Sequence, residues 1–515
     1  MDEDIAIDQT GLYHASCLAE APMLTKWQVP QAVTSHIAGS SATAQGQRLP
    51  IVYPGDGRIV SELCEADAHV VDMAVGAARE AFDHGPWRRM GTEERGIIMH
   101  RVAALVTAHA EELAWLECLN SGLPMARLQR IHMPRAAQNF TMFAEVASQA
   151  AGQVFTQDPR CLTMVTRHPV GVAALLSPWN APVPLTSMKI AAAIAFGNSA
   201  VVKPSELTPL AVARLVQLIE EAGVPPGVVN LVNGRGPITG QALINHDGVD
   251  LVSFTGGTAT GRAIASSAAA RLVPVTMELG GKSANIIFAS ADLDRALDGA
   301  LLGIFSNNGQ QCLAGSRILV QRSIADDFIQ RFLARTAALR IGDPMDPATE
   351  LGPVISDAHR RHVLSFADNL GDDRLLIGGG AIDGPGFYLE PTVVLAASNA
   401  SVRAQTEMFG PFATFILFDT EDEAIAIAND SRFGLAAYVW TDHLPTALRC
   451  SREIRAGVIW VNTPMMRELR APFGGFKDSG MGREGAQDCL AFYTEPTTAS
   501  FAMTQPPLQK LGGEG

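Results

Sequence analysis

The chain has no cysteine pattern that would make a disulfide framework or a cysteine-rich zinc site. Its seven cysteines (Cys17, Cys64, Cys118, Cys161, Cys312, Cys450 and Cys489) are odd in number, scattered and never spaced CxxC, which points to a reducing compartment. No apolar run reaches the roughly 18 residues that a membrane helix needs. A basic surplus is also missing: 39 Lys and Arg stand against 53 Asp and Glu, a formal net charge of −14. That balance argues against nucleic acid or an anionic membrane as the main partner. The acidic start, MDEDIAIDQTG, has neither the basic and apolar regions of a signal peptide nor the arginines of a transit peptide. No short-period repeat or low-complexity tract is present. These absences lead us to expect a soluble, cytoplasmic protein without a metal site.

What is present is an ordinary globular composition, 515 residues with 47% apolar and 18% charged, long enough for two or three domains. Residues 1–30 have little periodicity and read as an irregular leader. Apolar residues recur at helical spacing over 72–82 and over 94–116. From Gly171 onward, short apolar runs alternate with helical patterns. VAALL (172–176), AVV (200–202), VVNLV (228–232) and LVSFTGG (251–257) read as buried strands. Between them lie a helix stopped by Gly197, a helix with Thr208 as N-cap, Pro209 in first position and Gly223 past its end, and a helix at ITGQALINH. A second series runs from ANIIF (284–288) through RILVQ (317–321) to FILF and AAYVWT. The alternation predicts an α/β protein with two parallel sheets, helices on both faces and a boundary near Gly280–Gly281. Residues 342–410, rich in Gly, Pro and Asp, read as long loops.

Three stretches suggest chemistry. In NNGQQC (307–312), Cys312 lies in a polar, glycine-bearing segment suited to a loop. A thiol there is either a nucleophile or a packed free cysteine. MELGG sets Glu278 at a strand end, either a general base or a capping acid. SPWNAP sets Asn180 just beyond a strand's carboxyl end, either an oxyanion donor or a turn residue.

SPWNAP, VVKPSE, FTGGTATG, MELGGKSAN, NNGQQC, EMFGPF and PFGGFKDSGMGREG occur in the order seen in the NAD(P)-dependent aldehyde dehydrogenase superfamily, which the chain resembles over roughly residues 35–500. The resemblance implies that Cys312 attacks the aldehyde. Asn180 and the Cys312 backbone N–H hold the oxyanion, hydride leaves for the nicotinamide, and Glu278 activates the water that hydrolyses the thioester. It implies cofactor contacts from Trp179, Lys203, Glu206, Phe254, Gly256, Gly257, Glu407 and Phe409. Glu206 matches a position on the adenosine ribose, where a carboxylate accepts from both hydroxyls and repels a 2′-phosphate; NAD is therefore expected over NADP. Two departures stand near the pyrophosphate: Gly257 replaces the usual serine and Ala259 a usual acid.

The fold so implied has two doubly wound domains plus a β oligomerisation arm. A cofactor domain takes 31–148 and 171–280, a catalytic domain 281–480, and the arm 149–170 with 485–503. The arm implies a homodimer or homotetramer. PRAxxNF at Arg135 and RELRAPFGG at Arg467 and Arg470 resemble the branch that oxidises 2-hydroxymuconic and 2-aminomuconic semialdehydes, where arginines hold a substrate carboxylate. The same arginines would also suit surface salt bridges. NAPVPLTSMKI and QQCLAGSR equally suit enzymes for aromatic or terpenoid aldehydes. Three rivals remain: a CoA-acylating enzyme, which would not need Glu278; a non-catalytic protein, which would not need the three catalytic residues together; and an esterase, which would not need Lys203, Glu206 and Glu407.

Overall fold

The computed structural model describes residues 27–42, 46–505, 507–509 and 511–512. Of the expected leader, residues 1–26 lie outside the described residues. Five strands form the parallel centre of an eight-stranded sheet: Val172–Leu176, Ser199–Lys203, Val229–Leu231, Leu251–Thr255 and Val275–Glu278. All but Val275 are buried, which is why these strands read as continuous apolar runs. Gly480–Met481 closes one edge and Ser35–Ile37 with Ser40–Ala42 the other, all antiparallel.

The strand order reverses once. From Val172–Leu176 the chain steps outward to Ser199–Lys203 and Val229–Leu231, then Leu251–Thr255 returns to the opposite flank of Val172–Leu176. Loops leaving the carboxyl ends of those two neighbours diverge and open a crevice, the usual ligand position in an open α/β sheet.

The second sheet has seven strands, ordered Arg374–Ile377, Thr392–Leu395, Phe412–Phe418, Arg317–Gln321, Ala284–Ile287, Ala436–Trp440 and Val458–Val461; only the first runs antiparallel. Two of these strands and the helix Asp357–Leu364 come from 342–410, which the sequence suggested was loop. Four-residue strands flanked by Gly378, Gly379, Gly380 and Pro391 leave too short a pattern to read. In a third sheet Cys161–Pro169 pairs with Thr494–Ala502 over nine residues and with Gln153–Phe155. The expected arm is thus shortened at its tail, because Ala486–Tyr493 is a helix that packs on the helices Met133–Ser148 and Pro182–Ala195.

Three further expectations need correction. The periodic stretch 94–116 is two helices, Thr92–Ala108 and Ala110–Ser121, broken at His109 (φ −102°, ψ 16°). The break lets every residue from Leu113 to Ser121 be buried, Glu117 and Asn120 included. Thr208 does not cap the helix Leu210–Glu221. Pro209 is the N-cap, and the open Leu210 N–H donates to Asn120 Oδ1 at 3.0 Å. Finally, the helix expected at ITGQALINH is present but mixed: a π-helical turn over Gly236–Gly240 runs into the α-helix Gln241–Ile244.

Candidate active site

The helix Leu293–Phe305 ends in a tight turn in which Asn307 (φ 58°), Asn308 (φ 56°) and Gly309 (φ 70°) are all left-handed. A Cβ on Gly309 would lie 2.2 Å from the Gly410 carbonyl carbon, so only glycine fits. Side-chain amides hold this backbone. Asn307 Nδ2 donates to the carbonyls of Asn180 (2.8 Å) and Gln310 (3.1 Å), and Asn308 Nδ2 to those of Gly122 and Pro353 (both 2.9 Å). Gln310 Oε1 accepts from Ile355 N, and Gln311 donates to the Gly303 carbonyl. The amides around Cys312 therefore build the loop rather than facing the sulfur.

Cys312 leaves this turn half-buried. Burial first, then the charges of Glu407 and Glu278, push its thiol up to about 12, with Arg467 opposing. At neutral pH it is a protonated thiol, so attack on a carbonyl requires a base. Glu278 ends its strand buried, with neither carboxylate oxygen hydrogen-bonded among the described residues. Burial, then Glu484, hold its carboxyl well above the usual range, against Lys189, Arg467 and Arg483. An unpartnered buried carboxyl carries a desolvation cost and marks a functional position. A Cβ on Gly474 (φ 155°) would sit 2.7 Å from its Oε1, so that glycine makes room for it.

Asn180 is buried on the crevice side of Val172–Leu176 and donates from Nδ2 to the Gln310 carbonyl at 3.0 Å. An amide nitrogen has two hydrogens; one fixes the nucleophile loop, leaving one donor.

Sequence reading missed a buried ion pair beside this centre. Lys189 Nζ lies 2.9 Å from Glu484 Oε1 and donates to Ser253 Oγ at 2.8 Å. Glu484 lies in the quoted GREG stretch, but it meets Lys189 only because a bridge to Phe473 folds the chain back. Of the three arginines, the structure brings two together. Arg467 lies over the Phe473 ring at 3.7 Å, and its buried Nε has no partner among the described residues. Burial lowers its affinity for a proton, while Glu484, Glu278 and Cys312 restore part of it. Arg135 donates to Asn139 Oδ1 at 3.2 Å, and burial with Arg467's charge holds it down to about 9. Arg470 is excluded: it is exposed and grips Glu468 through two bonds of 2.8 and 2.9 Å.

The crevice carries groups that a dinucleotide could use. Gly257 is the N-cap of the thirteen-residue helix Thr258–Ala270, and a Cβ there would meet nothing within 4 Å. That leaves room for a phosphate at the helix N-terminus. Thr255 Oγ1 beside it is buried without a partner among the described residues. Lys203 is buried, its Nζ bonded to the Pro204 carbonyl at 2.7 Å and 3.9 Å from Glu206, whose side chain is 34% exposed. Burial holds Lys203 down to about 8. Phe254 serves from beneath, its buried ring lying where a Gly256 Cβ would be. Trp179 meets Phe409 edge-on at 5.2 Å and His359 at 5.5 Å, and His359 Nε2 bonds the Phe409 carbonyl at 2.7 Å. Glu407 Oε1 accepts from Gly281 N at 2.8 Å, and burial raises it to about 7.

Comparison with known proteins bears on the whole chain. The aldehyde dehydrogenase family profile matches residues 41–499. The 2-hydroxymuconic semialdehyde dehydrogenase of Pseudomonas sp. (strain CF600) is 41% identical over 465 residues, 88% of this chain and 96% of that protein. Retinal dehydrogenase 2 of Homo sapiens is 40% identical over 464 residues, 89% of this chain and 90% of that protein. The solved NAD-dependent aldehyde dehydrogenase of Sinorhizobium meliloti superposes with a TM-score of 0.91 at 39% identity, covering 93% of this chain and 96% of that one. No helix among the described residues is long and apolar enough to cross a membrane.

Proposed function

The chain belongs to the aldehyde dehydrogenase family, and from that premise we propose that it oxidises a carboxylate-bearing semialdehyde, of the kind released by aromatic ring cleavage, to the acid with NAD. Lys203 would hydrogen-bond the nicotinamide ribose and Glu206 the adenosine ribose, where the half-buried Glu206 carboxylate disfavours the extra phosphate of NADP. Gly256, Gly257 and the helix N-terminus behind them take the pyrophosphate. Trp179, Phe409 and Glu407 border the nicotinamide end.

Bound NAD supplies the hydride acceptor; the remaining chemistry belongs to the chain. Glu278, once deprotonated, takes the Cys312 thiol proton as sulfur bonds to the aldehyde carbon. The carbonyl oxygen becomes an alkoxide, which the free Asn180 N–H and the Cys312 backbone N–H stabilise. After hydride loss Cys312 carries a thioester. Glu278 releases the thiol proton to solvent, then takes a proton from water as the water oxygen attacks the acyl carbon; the C–S bond breaks, Glu278 returns that proton to the Cys312 sulfur and the acid leaves. A base beside the thioester favours water over CoA as acceptor.

One observation carries the substrate class: Arg467, half-buried with its Nε buried and without a partner among the described residues, lies beside Glu278 and Cys312 with Arg135 at its flank. A substrate carboxylate completes that arrangement. Overall identity does not choose, because retinal dehydrogenase 2 matches nearly as well as the semialdehyde enzyme. The three-stranded arm, exposed along Gln153–Phe155 and most of Thr494–Ala502, is read as the surface that makes a dimer or tetramer.

The test is NAD reduction over a panel of 2-hydroxymuconic semialdehyde, succinic semialdehyde, benzaldehyde and a terpenoid aldehyde. We expect kcat/KM to favour the acid semialdehydes by about tenfold or more. A neutral aldehyde at the head of the panel removes the substrate assignment. Full activity in Cys312→Ala removes the mechanism.

A further inference from the structure

A cleft of about 690 Å³ opens between residues 124–130, the helix Leu293–Phe305 and residues 335–350. Four arginines line it. Two are neutralised: Arg335 pairs with Asp298 at 3.0 Å and Arg340 with Glu350 at 3.1 Å. Arg127 and Arg130 have no carboxylate partner among the described residues. Arg127 is the deeper of the two. Its one side-chain hydrogen bond among the described residues runs from Nε to Asn307 Oδ1 at 3.3 Å, and burial together with the charge of Arg130 holds it down to about 10. Two adjacent guanidiniums, one of them largely desolvated, repel each other and lack a counter-ion, a cost that a bound anion offsets. Their planar donor forks suit carboxylate and phosphate oxygens, and the cleft has the volume of a small-molecule site.

The inner wall of the cleft is also the outer wall of the nucleophile loop. Asn307 accepts from Arg127 through Oδ1 and donates through Nδ2 to the carbonyls of Asn180 and Gln310. It sits at φ 58°, a strained position for a residue other than glycine, which these bonds hold in place. An anion that draws Arg127 away removes one of the three bonds fixing that amide.

We infer that this cleft binds a small dianion, a dicarboxylate or a phosphate, and that occupancy slows turnover by loosening Asn307 and with it Asn180. The inference does not depend on which aldehyde the enzyme takes.

The test uses the full chain with saturating NAD in an Arg467→Met background, which weakens dicarboxylate binding at the aldehyde arginines, so that the Arg130 variants report on the cleft. Sodium muconate and sodium phosphate are titrated separately by calorimetry, with ionic strength held by sodium chloride. In parallel, kcat is followed with a neutral aldehyde. We expect saturable binding and a matching fall in kcat, with Kd raised about tenfold or more by Arg130→Glu. Arg130 is exposed, so this charge reversal leaves the fold intact, and Arg130→Gln provides a milder second variant. Response to muconate alone makes the ligand a dicarboxylate, response to phosphate alone makes it a phosphate, and response to both makes charge the criterion. Binding that Arg130→Glu and Arg130→Gln leave unchanged, an effect reproduced by chloride, or an unaltered kcat at saturation each overturns the inference.

Discussion

Arg467→Met separates two effects that the structure joins in one side chain. The side chain is half-buried, stacked on Phe473, with a buried Nε that has no partner among the described residues, so a substrate carboxylate would meet that nitrogen with little water between them. A hydrogen bond to a charged group contributes about 1.5–3 kcal/mol, a factor of roughly 10–150 at about 1.4 kcal/mol per decade. That factor should appear in KM for 2-hydroxymuconic semialdehyde. Benzaldehyde has no carboxylate, and its KM should change by less than about threefold. The second effect is independent of substrate. Arg467 lowers the proton affinity of both Glu278 and Cys312. Without that positive charge both rise further. Glu278 acts as a base only when deprotonated, so the acid limb of the kcat/KM–pH profile should move to higher pH for every aldehyde. Arg467→Lys keeps the charge and loses the fork; it should restore the limb and only part of the KM. Steady-state NADH formation from pH 5 to 10, with both aldehydes and all three proteins, provides the measurement. Equal KM changes for the two substrates, or a limb that moves to lower pH, would refute the reasoning.

Other perturbations follow from single contacts. Glu278→Gln keeps the shape of the site but removes the base, so steady-state turnover should fall about 10²–10⁴-fold and show a stoichiometric first burst where attack still occurs; an unchanged steady state would count against water activation by Glu278. Asn120→Ala removes the acceptor for Leu210 N and should lower unfolding stability by about 1 kcal/mol in a urea titration. Lys282 is buried, its Nζ has no partner among the described residues, and burial holds it down to about 7. A lysine depressed in the fold must give up a proton on folding, so its cost grows as pH falls from about 10 towards 7, with about 5 kcal/mol as an upper bound. Lys282→Met should therefore stabilise the protein more at pH 7 than at pH 9.5; equal gains at both would show that the amine is charged and paired.

Some of this was legible from residues alone because the physical cause is local. Strands buried on both faces must be continuously apolar, and VAALL, AVV and RILVQ read directly as such. Gly309 and Gly223 carry left-handed backbone, and glycine is the residue that tolerates it. Other features have no local cause. Thr208 carries the usual cap signal, yet the acceptor comes from Asn120 on another helix. The amides of NNGQQ suit an oxyanion site, yet their partners are carbonyls at Gly122, Asn180 and Pro353 that only folding brings near.

The sequence by itself determined the alternating α/β architecture and offered Cys312, Glu278 and Asn180 as separate candidates, which the order of the quoted motifs joined into one expected site. Each rests on a pattern a few residues long: an apolar period, a glycine at a turn, a functional group at a strand end. Only the tertiary structure decided what surrounds those groups. It turned Arg467 inward over Phe473 and left Arg470 outside on Glu468. It buried Glu278 without a hydrogen-bond partner among the described residues and set the Lys189–Glu484 pair beside it. The physical reason is that burial and charge act through space, between residues as far apart in the chain as 189 and 484, and neither can be read from the spacing of neighbours.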